Sequence, residues 1–195
     1  MGEIRQYQPL TAWDKVTVVL YRLGIASSSL ILIAGAYLFL SSEAIGLIAN
    51  ALLILLYAAS GLSVFFIHLY VRKFKRNLIV VYAVALGALF GLFALGGGDP
   101  IAGLTIRPYG PLFLLPLSCC LGFVGAKEAF CFKLMEGYLL AIAMPMYLLM
   151  LSSGAFGGES AGYGLSLIAA LHTFFTLRKV FQPLHYDIGD KSAYC

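Results

Sequence analysis

The sequence predicts an all-α protein: a polytopic transmembrane helical bundle of six spans, with N- and C-termini both on the cytoplasmic, positively charged side. Three observations carry this expectation. Hydrophobic residues make up 61% of the chain and charged residues 11%, against about 25% charged in a soluble domain, and the mean hydropathy is +0.92. Apolar stretches recur in series, and segments such as 52–56 and 78–81 are apolar on every side. That pattern suits helices that satisfy their own backbone in lipid, not the alternating strands of a barrel. Of the thirteen Lys and Arg residues, only Arg107 falls in an odd-numbered loop, which is the positive-inside arrangement for an even number of spans.

A polar arm, residues 1–17, opens the chain, a six-helix membrane domain covers 18–179, and a polar tail runs over 180–195. The arm includes Trp13, Asp14 and Lys15, so the first span is expected to stay as an anchor and not to be cleaved as a signal. That span is drawn at 18–40. The second, at 44–71, is long enough to tilt or to project an extra turn. The third covers 77–95 and ends where Gly96, Gly97, Gly98, Asp99 and Pro100 break it. Within the following loop the apolar piece 101–106 is expected to rest in the head-group layer, and Pro108 and Pro111 delay the next span. The fourth span (110–126) and the fifth (134–151) share a tight polar connection from Lys127 to Lys133. A sixth covers 161–177. Most exceed the roughly 17 residues that a ~30 Å hydrocarbon core requires.

Small residues four apart allow helices to approach closely. Such stripes occur at Ala83, Gly87 and Gly91, at Ser118, Gly122 and Ala126, and at Gly162, Ser166 and Ala170. Pro145 lies mid-span, frees the carbonyl of Ala141 and is expected to kink the fifth helix.

The densest polar cluster of the spanning region is Gly125-Ala126-Lys127-Glu128-Ala129-Phe130-Cys131-Phe132-Lys133. Charges at membrane depth are costly and usually paired. Lys127 and Glu128 point about 100° apart on a helix, so each is expected to seek a different partner. An inner loop that snorkels into water is the bland reading. A docking element built on Lys127, Glu128 and Phe130 is the functional one.

The stretch Lys127-Glu128-Ala129-Phe130-Cys131-Phe132, after a span bearing Pro and Gly, resembles the signature of a family of uncharacterised integral membrane proteins common in cyanobacteria. The resemblance is expected to extend from about Tyr21 to Lys179. It implies a photosynthetic bacterial source and residence in a thylakoid or plasma membrane, and it implies no reaction.

Two histidines are read as lying within spans at similar depth, His68 before the cluster Arg72-Lys73-Phe74-Lys75-Arg76 and His172 before Arg178. Facing histidines would hold a haem, and one imidazole suffices for a chlorophyll magnesium. Hydrogen bonding to a neighbouring helix is the commoner use. Cys119, Cys120, Cys131 and Cys195 show no metal-binding spacing. Met144, Met146 and Met150 are soft potential ligands for copper, but packing explains them as well. The G-x-S-G serine of rhomboid-type proteases is missing around Ser118, and no Walker motif occurs.

These observations favour a non-catalytic accessory or assembly factor of a larger membrane complex, in contact with lipid and other membrane subunits and not with nucleic acid. The alternatives are a haem- or pigment-binding redox protein using His68 and His172, and a small-solute transporter using Glu136 and the Pro145 kink.

Overall fold

The structure, a computed structural model, describes residues 10–41 and 46–188. Within them the chain forms α1 (Ala12–Leu40), α2 (Gly46–Phe66), α3 (Arg72–Leu95), α4 (Pro100–Thr105), α5 (Leu115–Phe132), α6 (Glu136–Ser152), α7 (Glu159–Val180) and α8 (His185–Ile188). A 3-10 turn, Gly110–Leu114, leads directly into α5. The described residues contain no strand. The arm before residue 10 and the tail beyond 188, with Cys195, lie outside the described residues.

Helix starts follow local chemistry. Thr11 and Asp14 form a reciprocal cap on α1: the Thr11 hydroxyl accepts from the Asp14 N–H at 3.2 Å, and the Asp14 carboxylate accepts from the Thr11 N–H at 2.8 Å. Asp99 caps α4 by accepting from the Ala102 N–H at 2.9 Å, while Asn50 of α2 accepts from the Ile101 N–H at 2.9 Å. The reversal before α4 uses Gly97 and Gly98, at φ +62° and +100°, where a side chain would be strained.

Five helical stretches are long and apolar enough to cross a bilayer: α1, α2, α3, the joined Gly110–Phe132 stretch and α7. The remaining long helix, α6, is apolar but has only 17 residues, about 25 Å of rise. Pro145 lies inside α6, which continues past it to Ser152.

Two helix ends differ from the sequence expectation in ways that bear on the site. α2 ends at Phe66, five residues early, so His68 lies in the connection to α3 and not in a span. α5 runs through Phe132, so Lys127 to Phe132 is helix and not loop. The turn is made by Lys133, which closes α5 in a left-handed conformation at φ 56°. Hydropathy falls at Lys127, but the backbone stays helical because the charges there find partners inside the bundle.

α1 is the hub, packed on α2 along one side and α7 along another, while α5 and α6 pair closely and α3 lies on α5. Glycines set the closest approaches. A Cβ on Gly24 would meet Ser63 Oγ at 2.4 Å and the Ala59 carbonyl oxygen at 2.7 Å. Gly125 and Gly137 bring α5 and α6 into backbone contact, since a Cβ on Gly137 would stand 2.1 Å from the Gly125 carbonyl oxygen. Of the three expected stripes, Gly122 packs on Ala141 and Gly162 on Phe39 and Leu40. The α3 stripe makes only one such contact, Gly91 against Phe113; Gly87 faces open space.

Candidate functional site: a buried charge network at the basic end

The start of α1, the α2–α3 connection, the end of α5, the start of α6 and the end of α7 meet at one end of the bundle. Most of its cations lie there, and so does a network of buried ion pairs. At its centre is Glu128, fully buried. Its Oε1 accepts from the Tyr21 hydroxyl of α1 at 2.6 Å and from Lys127 Nζ at 2.7 Å. Its Oε2 lies 2.5 Å from Lys179 Nζ of α7. Lys179, also fully buried, pairs in turn with Asp187 of α8.

Arg22 of α1 closes the chain of contacts. Its Nε and Nη2 donate to Asp187 Oδ2 at 2.7 and 2.5 Å. Its remaining donors reach the carbonyls of Val180, Gln182 and Pro183 at 3.1, 2.5 and 3.0 Å. These carbonyls end α7 and begin the turn to α8, so a guanidinium caps them from a neighbouring helix. Arg22, Lys127 and Lys179 outnumber Glu128 and Asp187 by one charge. The negative end of the α7 dipole faces that excess. Phe132 supplies a π face to Lys179 at 4.2 Å and to Lys127 at 5.4 Å, and it stacks on Tyr186 of α8.

A second pair joins α6 to α7. Arg178 Nη1 donates to both oxygens of Glu136 at 2.9 and 2.8 Å, and its guanidinium lies over Phe174. Glu136 is buried but Arg178 is half exposed, so solvent screens this pair more than those around Glu128.

The residues singled out from sequence fall into different settings. Lys127 and Glu128 do meet, contrary to expectation: the long lysine stem spans the angle between neighbours on the helix. Phe130 points the opposite way and is 81% exposed. His68 Nε2 lies 3.2 Å from the Thr17 hydroxyl, and its Nδ1 is buried without a partner. Burial first, then the charges of Lys127 and Lys75, push its pKa below the usual imidazole value. His172 is buried on α7, beside the hydroxyl of Thr176 and edge-on to Phe175. No hydrogen bond or ring contact joins the two histidines. Cys120 is buried and Cys119 and Cys131 are exposed, all three as free thiols.

Arg22, Asp187 and Lys179 were missed as network members by sequence reasoning. A signal existed: Arg22 interrupts an otherwise apolar span, and an arginine there demands an acceptor. Between them, α1 and α7 leave an open apolar groove of about 580 Å³, lined among others by Ile33, Tyr37, Leu40, Ala169, Phe174 and Leu177. The described residues contain no cluster of three or more His, Cys, Asp or Glu side chains arranged to hold a metal ion.

No curated protein and no solved structure matches the chain. One family model does, described as "Uncharacterized integral membrane protein (DUF2301)", over residues 62–195. That match takes in Lys127, Glu128, Glu136, Arg178, Lys179 and Asp187, and begins after Tyr21 and Arg22, later than the expected start near Tyr21. With several helices apolar and long enough to cross a bilayer and a matching model over most of its length, the chain belongs to this family of integral membrane proteins.

Proposed function

We infer that the protein is a non-catalytic accessory or assembly component of a larger membrane complex, embedded by six spans with both ends on the basic side. The observation that supports this reading is the split between its charged and apolar side chains. Arg22, Lys127, Glu128, Lys179 and Asp187 pair inside the bundle, and Glu136 pairs with the half-exposed Arg178. The side chains left facing outward along the spans are apolar and aromatic, with Phe90 at 73% and Phe130 at 81% exposure. On this reading Lys127 and Glu128 hold the end of α5 rigid, and Phe130 on its opposite face meets a neighbouring membrane subunit. The resemblance noted in the sequence adds a thylakoid setting and a photosynthetic partner complex.

Affinity purification in a mild detergent tests it. A defined membrane partner should co-migrate with the wild type and be depleted from Phe130→Ala, whose fold should be intact. Migration as an isolated, unaccompanied chain contradicts the reading.

A second reading, a haem or pigment ligand, draws on the buried and unpartnered Nδ1 of His68. One imidazole suits a single axial bond to a chlorophyll magnesium or a haem iron. The absorption spectrum of the same purified material separates the two readings: a Soret or chlorophyll band abolished by His68→Ala supports the ligand. The transport reading finds less support, because Glu136 is held by Arg178.

A further inference from the structure

The first turn of α3 carries Arg72, Lys73, Lys75 and Arg76, with Phe74 between them. Arg72, Lys73 and Arg76 are exposed and Lys75 is half-buried. No ion pair joins any of them to an acid among the described residues, and α3 has no acidic residue in its first turn. This contrasts with Arg22, Lys127, Arg178 and Lys179, each of which has its carboxylate. The four charges also stand at the positive end of the helix dipole, where cations are disfavoured. Repulsion within the turn and with the dipole leaves a strong unmet demand for negative charge.

Apolar side chains surround the charges at the same level. Val71, Phe74 and Tyr70 are exposed by 45%, 53% and 39%. An aqueous anion gains nothing from them, whereas a surface with charged phosphates above and acyl chains below matches both features. The position fits as well, because the patch begins a helix that is apolar and long enough to span a bilayer. Basic residues beside a membrane helix attract anionic head groups, each by roughly a factor of five in affinity.

We propose that the Arg72–Arg76 turn is a binding surface for anionic phospholipid head groups, with the phosphate held by Arg72, Lys73 and Arg76 and with Val71 and Phe74 seated among the upper acyl carbons. The occupant is a membrane lipid. Soluble phosphate compounds lack the apolar half of the match, and a nucleic acid has no acyl chains to seat Val71 beside Phe74.

Native mass spectrometry and thermal unfolding of the full chain in neutral detergent test the proposal. The probes are phosphatidylglycerol, phosphatidylcholine with the same acyl chains, glycerol phosphate, and a short single-stranded oligonucleotide. Phosphatidylglycerol should be retained and should raise the melting midpoint, and the other three should do neither. Arg72→Gln/Lys73→Gln/Arg76→Gln should weaken retention roughly a hundredfold, whereas Lys15→Gln/Lys133→Gln, at the same end of the bundle, should not. If the triple variant does not fold, Lys73→Gln alone should weaken retention about fivefold. In the wild type the lipid-induced shift should also decline as salt is raised. Equal retention of phosphatidylcholine, an equal response to glycerol phosphate or the oligonucleotide, retention untouched in the variants, or a salt-independent shift would each overturn it.

Discussion

Arg22 and Asp187, separated by most of the chain in sequence, share a two-pronged ion pair: Nε and Nη2 of the arginine both donate to Oδ2 of the carboxylate, at 2.7 and 2.5 Å. The pair ties the first helix to the last short helix and thereby brings both ends of the described chain to one end of the bundle. Arg22 also takes the carbonyls of Val180, Gln182 and Pro183. Its loss removes those carbonyl contacts as well as the pair, whereas the loss of Asp187 takes a carboxylate from both Arg22 and Lys179.

Arg22→Ala is expected to lower stability by about 3–5 kcal/mol, the range for breaking a buried pair. Asp187→Asn, which takes the carboxylate from Arg22 and one of the two from Lys179, should cost at least as much. Reversible unfolding in mixed micelles measures both, and a near-neutral effect of Asp187→Asn would refute the role of the shared carboxylate.

Tyr21→Phe removes one hydroxyl donor from Glu128 and leaves the ring against Lys127. A hydrogen bond to a charged group is worth about 1.5–3 kcal/mol, and the variant should lose stability on that order without a change in helix content. Circular dichroism with the same unfolding assay checks both parts.

Close packing between α5 and α6 predicts an ordering among glycine substitutions. Gly137→Ala meets backbone at 2.1 Å and should cost about 1–3 kcal/mol through overpacking. Gly125→Ala, with its nearest atom at 3.0 Å, should cost less. Gly35→Ala and Gly87→Ala meet nothing within 4 Å and should be close to neutral. Melting midpoints of the four variants should fall in that order.

His68 gives the pH prediction. Its folded pKa lies below the ordinary imidazole value of about 6.5, so the unfolded chain binds a proton that the folded chain resists. The stability contribution of the neutral ring is complete above that ordinary value. It declines as pH falls below about 6.5 and levels off once pH passes beneath the lowered folded value. Stability followed from pH 7 down to 5 should fall more steeply in the wild type than in His68→Gln. Parallel profiles would show that the imidazole stays unstrained by its neighbours Lys127 and Lys75.

Much of this architecture is legible in the sequence, because bilayer thickness dictates the length of each apolar run and glycines mark its breaks. The turn at Gly96–Gly98 and the contacts at Gly122 and Gly162 follow from local pattern alone. The end of α5 does not. From Lys127 onward the residues read as a solvated loop, since hydropathy cannot register that Lys179 neutralises Glu128 and Tyr21 donates to it from other helices. The same limit hid Arg22, whose partner depends on tertiary register and not on spacing. His68 reads as part of a span because the apolar run 64–67 continues past the end of α2. The α3 stripe misled for a different reason: small residues permit close approach but do not supply a neighbour, and beside Gly87 there is none.

The central claim is that the buried charges act together to close the basic end of the bundle. A double-mutant cycle on Glu128 and Lys179, with Glu128→Gln, Lys179→Met and the pair unfolded in mixed micelles, tests it most directly. The paired variant should be less destabilised than the sum of the single variants, by a coupling of about 1–3 kcal/mol. Strict additivity of the two losses would contradict the claim.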